Sequence, residues 1–120
     1  MKNIKSSIKI VLSIISFKEK NIHMIYAPTL DLFGYGKTKK EAEESFEITL
    51  DEFMRYTVNK GTLIPELKRL GWEVSENKKK PKFIAPLLSY LLTDNKQFNE
   101  IFNKGEYHKY NQQISIPAFA

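Results

Sequence analysis

Cysteine is absent from all 120 residues. Disulfides, thiolate zinc sites and cysteine nucleophiles are therefore excluded, and a chain without thiols fits a reducing cytoplasm, the expected location. No long hydrophobic run is present either. The nearest approach, Ile8 to Phe17, follows Lys2 and Lys5 as a secretion signal would, but Lys9 and Ser13 interrupt it and no small-residue cleavage site follows. A membrane span needs roughly 20 apolar residues, so no membrane association is expected. Histidine occurs only at His23 and His108, far apart and without a spaced ligand partner, so each reads as a surface or edge residue. No serine sits in a nucleophile elbow. Internal repeats are missing, and the lysine run near residue 79 is the one biased stretch.

What is present describes an ordinary globular domain: 42% apolar and 28% charged residues, too apolar for disorder and long enough for one modest core. The net charge of +5 is unevenly placed. Residues 1–20 carry five lysines against Glu19, and residues 60–82 carry seven basic against three acidic side chains. Such an excess suits contact with nucleic acid or an acidic protein face, or simply a solvated lysine-rich surface.

Ile8, Ile10, Leu12 and Ile14 alternate with more polar residues, which predicts a half-buried strand over about 4–17. A turn at Lys18-Glu19-Lys20-Asn21 leads to a second, antiparallel strand over 22–27. A third is expected from Leu30 to Tyr35, with Gly34 and Gly36 marking where the backbone bends away. Thr38 with Glu41 three residues later forms a capping box. From there Ala42, Phe46, Leu50, Phe53 and Met54 recur at helical spacing, giving a helix over 39–60 closed by Gly61. Thr62 opens a short helix with Leu63, Leu67 and Leu70 on one side, and Trp72-Glu73-Val74 reads as a fourth strand. The fold class is α+β: a two-layer β-β-β-α-β domain over 1–76, a three-stranded antiparallel sheet under a covering helix plus the fourth strand. A basic loop over 77–82 connects it to an appendage over 83–120. There Pro86–Leu92 is apolar, Asp94 with Gln97 resembles a second capping box, Phe98, Ile101 and Phe102 form an apolar face, and Tyr107–Ile116 is extended.

Catalytic chemistry is hard to assemble from these parts. Gly36-Lys37-Thr38 invites comparison with a phosphate-binding P-loop, but Asp31 stands where that loop needs glycine, so the triplet reads as a turn and a cap. Asp31 is the lone carboxylate of the first three predicted strands, and the helical carboxylates sit on a wet face, so a two-metal nuclease centre is not expected. Neither a metal nor any other cofactor is called for, and the chain reads as a non-enzyme. Lys78, Lys79, Lys80 and Lys82, with Tyr90, Tyr107 and Tyr110 available for stacking, are the candidate nucleic-acid contacts.

The run from Tyr26 to Ala42 contains Tyr26, Pro28, Leu30, Gly34, Gly36, Thr38, Glu41 and Ala42, and it resembles the HicB antitoxin family, in which a Gly-x-Thr-x-x-Glu-Ala helix start follows the strands. The similarity continues through Ser45-Phe46-Glu47, Tyr56-Thr57 and Leu67-Lys68-Arg69-Leu70-Gly71-Trp72, over about residues 8–75. It implies a degenerate ribonuclease H-like fold without metal-binding carboxylates. It also implies an antitoxin that covers a HicA-like, messenger-RNA-cleaving toxin and represses its own operon through operator DNA; separately, a homo-oligomer, dimer or higher, is expected. Residues 83–120 depart from the DNA-binding part of that pattern: a ribbon-helix-helix needs a strand followed by two helices, and Ile114–Ile116 is followed almost at once by the last residue. The alternative function is a stand-alone nucleic-acid-binding domain of the same fold. The expected partner surfaces are the exposed polar side of helix 39–60 and a strand edge near Ile22–Ala27.

Overall fold

The structure, a computed structural model, describes residues 7–75, 82–104 and 106–117. Strands β1 (Ser7–Glu19) and β2 (Ile22–Ala27) form a hairpin with Ile15 opposite Tyr26 and Glu19 opposite Ile22. Only Lys20 and Asn21 are left for the turn, and both have positive φ, 51° and 68°. Two consecutive left-handed residues are the type I′ geometry, whose twist matches that of the paired strands; asparagine accepts it readily and lysine does not.

The next connection, Pro28–Asp31, is buried except for Asp31. The Leu30 N–H donates to the Ala27 carbonyl at 3.2 Å, and Asp31 turns left-handed at φ 56°. Strand β3 therefore begins two residues later than the pattern suggested, at Leu32, and runs to Gly36. Gly34 and Gly36 lie within it at ordinary φ, so they do not serve as bends. They face helix α1 (Lys39–Lys60), whose backbone lies almost on the strand. A Cβ added to Gly34 would sit 2.5 Å from the Phe46 Cα, and one on Gly36 would sit 2.5 Å from the Glu41 Cβ.

Helix α1 starts as its capping residues require. The Thr38 Oγ1 accepts from the Glu41 N–H at 3.1 Å, and Glu41 Oε1 accepts from the Lys37 N–H at 2.9 Å. Its buried stripe is Ala42, Phe46, Leu50 and Thr57, the last silenced by donating its hydroxyl to the Phe53 carbonyl at 2.7 Å. Gly61, left-handed at φ 69°, ends it. Helix α2 (Leu63–Arg69) follows Thr62, whose side chain makes no cap bond, and buries Leu63 and Leu67. Trp72 then packs into the core and donates its indole N–H to the Thr29 carbonyl at 2.8 Å, closing the buried β2–β3 connection.

The strand expected at Trp72–Val74 exists as β4 (Glu73–Ser75), but it pairs with β5 (Lys82–Ile84) in a separate two-stranded ribbon. The fourth place in the main sheet belongs to β6 (Tyr107–Pro117), which runs antiparallel along β1 from Ser7 to Phe17, giving the order β3-β2-β1-β6. The α+β class stands, and the structure adds a layer. Leu12, Ile14, Ile25, Ile116 and the α1 stripe form one core. Ile15, Phe17 and Tyr26 point the other way and are buried by Phe98 and Ile101 of α4 (Lys96–Lys104), with Leu88 and Leu91 of α3 (Leu88–Asp94) beside them. Helix α4 starts one residue after Asn95, and it is Asn95 rather than Asp94 that caps it, its Oδ1 accepting from the Phe98 N–H at 2.9 Å. Among the described residues no helix is long and apolar enough to cross a membrane.

Candidate functional site

The eight motif residues between Tyr26 and Ala42 all carry packing or capping duties. Pro28, Leu30 and Ala42 are buried, the two glycines admit the helix, and Thr38 and Glu41 cap it. Tyr26 stacks on Phe33, ring centroids 4.0 Å apart, and its hydroxyl donates to Asp31 Oδ1 at 2.8 Å while accepting from the Asn95 Nδ2 at 2.7 Å. Burial pushes the Tyr26 phenol well above its usual range; the Asp31 charge and hydrogen bond add to this, and the Asn95 bond opposes it.

Asp31 opens onto a cleft of about 610 Å³ with Arg69, Lys96 and Glu100 on its walls. Its carboxylate already accepts the Tyr26 hydroxyl, and Arg69 is held by Glu66 in a two-bond pair. Among the described residues no three His, Asp or Glu side chains converge as a metal site would need. Lys78, Lys79 and Lys80 lie outside the described residues; Lys82 is exposed in β5 opposite Ser75. Of the tyrosines offered for stacking, Tyr90 is exposed, whereas Tyr107 and Tyr110 are half-buried and packed against opposite cores. Burial, then Glu43 and Glu47, raise the Tyr110 phenol.

The partner surfaces divide differently from expectation. Strand β2 is interior, between β1 and β3, and offers no edge. The edges are β3 and β6, and on β3 the outward Tyr35 N–H is already taken by Ser45 Oγ at 3.2 Å. The outward side of α1 is as polar as its spacing implied. Glu44, Asp51 and Glu52 are exposed there with Lys40 and Arg55, and Arg55 is paired with Asp51 at 3.3 Å, whereas the exposed Glu43 and Glu47 flank β6, where the Gln112 Nε2 donates to Glu47 Oε2 at 2.7 Å. Ile48, 61% exposed, stands among the outward carboxylates, with Tyr56 further along at 63%.

Reading the sequence missed one grouping. His23 of β2 lies opposite Lys18, and His108 of β6 lies opposite Ser16, so the two imidazoles flank β1 on one face of the sheet. Both line a cleft of about 620 Å³ that Lys18 and Lys39 also enter. The signal that would have revealed it is the pairing of residues 107–117 with β1, which the polar composition of that segment conceals. Comparisons with protein-family models, with curated proteins and with solved structures find no match.

Proposed function

We propose that this chain is a binding module of the antitoxin kind, whose partner is a small, basic, RNA-cleaving protein of the HicA type. The observation that carries the reading is the outward face of α1, where the exposed carboxylates Glu44, Asp51 and Glu52 surround the exposed Ile48. A protein that handles RNA presents basic charge to its substrate, so a rigid acidic face with an apolar anchor is complementary to it and blocks the same surface. The resemblance to HicB between Tyr26 and Ala42 supports the partner's class, because those residues build the β2–β3–α1 unit that fixes the helix against the sheet.

The test is co-expression with the product of any small open reading frame adjacent to this gene, followed by size exclusion. A 1:1 or higher-order complex, together with growth arrest when the neighbour is expressed alone, is the expected result. A neighbour that is harmless and elutes separately would remove the reading.

A further inference from the structure

We propose that the cleft between the end of the β1–β2 hairpin, β6 and the start of α1 binds a phosphate group, as carried by a nucleotide or by single-stranded nucleic acid. This is independent of the partner-binding role of the α1 outer face and of the lysine run at 78–82.

Four groups that are or can become cationic meet in this cleft: Lys18 on β1, His23 on β2, Lys39 at the first turn of α1, and His108 on β6. Four separate elements supply them, which makes the cleft unlike a run of lysines on one loop. Among the described residues Glu106 is the one carboxylate on its lining, so the site is net positive with both histidines neutral and more so when they are charged. No hydrogen bond or ion pair to another described residue occupies any of the four side chains. Their donors are available to an incoming ligand.

The dimensions suit a phosphate. Two strand spacings of about 4.8 Å and a two-residue offset of about 6.8 Å put the His23 and His108 Cα atoms on the order of 12 Å apart, with both side chains rising from the same face of the sheet. An anion between them can accept from both rings, with the lysines closing on it from β1 and α1. The N-terminal end of a 22-residue helix adds its positive partial charge on the same side. Among the described residues no third ligand accompanies the histidines to make a metal site.

The experiment uses the purified full chain and follows the His23 and His108 ring resonances by NMR. Inorganic phosphate, adenosine monophosphate, adenosine and a short single-stranded RNA are titrated separately. Shifts with phosphate or the monophosphate support a phosphomonoester site, and shifts with the RNA alone support a phosphodiester site. In either case Lys39→Gln or His108→Gln is expected to weaken binding about tenfold, the loss of one charge-assisted hydrogen bond. The remote Lys60→Gln should have no effect. Shifts with adenosine alone, no shifts with any ligand, or binding that Lys60→Gln weakens as much as Lys39→Gln would each overturn the assignment.

Discussion

Replacing Gly34 by alanine tests why α1 lies where it does. In an ordinary strand this change is mild or helpful, because alanine loses less backbone entropy on folding, roughly 0.5–1 kcal/mol in its favour. Here the new Cβ would lie 2.5 Å from the Phe46 Cα and closer still to the Phe46 backbone nitrogen, where ordinary contacts begin at 3.4 Å. The obstacle is helix backbone, so no side-chain rotation relieves it, and α1 must lift by about 1 Å from β3 or the strand must bow away. Overpacking of this kind costs about 1–3 kcal/mol, and a backbone clash belongs at the upper end. The net loss is about 2–2.5 kcal/mol. Gly61 supplies the internal control. It is left-handed at φ 69°, and a Cβ added there would meet nothing within 4 Å, so Gly61→Ala carries only the conformational cost, about 1 kcal/mol. Urea denaturation followed by circular dichroism compares the two. The expected order is Gly34→Ala more destabilising than Gly61→Ala, although Gly34 has the ordinary φ. The reverse order, or a neutral Gly34→Ala, refutes the close-approach argument.

Three further substitutions probe other parts of the account. The Thr29 hydroxyl is buried with no hydrogen-bond partner among the described residues, so Thr29→Val should raise stability by about 1 kcal/mol in the same denaturation assay; a loss would reveal a partner for it. Lys20 is left-handed in the hairpin turn, and Lys20→Asn should stabilise by about 0.5 kcal/mol, visible as a small rise in melting temperature. The Tyr26 phenol is held above its usual value of 10.0, so the folded chain keeps that proton at pH values where the unfolded chain releases it. Its contribution to stability is complete below pH 10 and is lost as pH climbs through the higher folded value. Tyr26→Phe should therefore flatten the decline of stability in alkaline urea titrations, and an unchanged slope would count against the burial and Asp31 effects assigned to it.

The hairpin and α1 were legible in the sequence because each is specified locally. A period of two in Ile8–Ile14, a short polar turn, and the Thr38–Glu41 cap before a helical stripe need nothing from the rest of the chain. The place of β6 was not legible. Tyr107–Pro117 has only Ile114 and Ile116 as strong apolar markers, since most of its outer face is wet, and its partner lies about a hundred residues earlier. Missing that pairing concealed the meeting of His23 and His108 across β1 and left the fourth strand assigned to Trp72–Val74. The glycines show a different limit. Turn and close approach both select glycine, and only the position of α1 over β3 distinguishes them. The acidic side of α1 was legible as a solvated face, but Ile48 among the carboxylates gains meaning only once the buried stripe is known to lie opposite.

The most direct test of the central claim reverses charge on that face. The double variant Glu44→Lys with Asp51→Lys touches two exposed residues on the outside of α1, so the fold should be retained, as circular dichroism can check. Binding of the purified neighbouring gene product is then measured by calorimetry for both forms. The account predicts a complex with the unmodified chain and its loss in the double variant, because two favourable charge contacts become two repulsive ones. A complex of equal affinity in both would show that the partner docks elsewhere, and would contradict the assignment of α1 as the binding face.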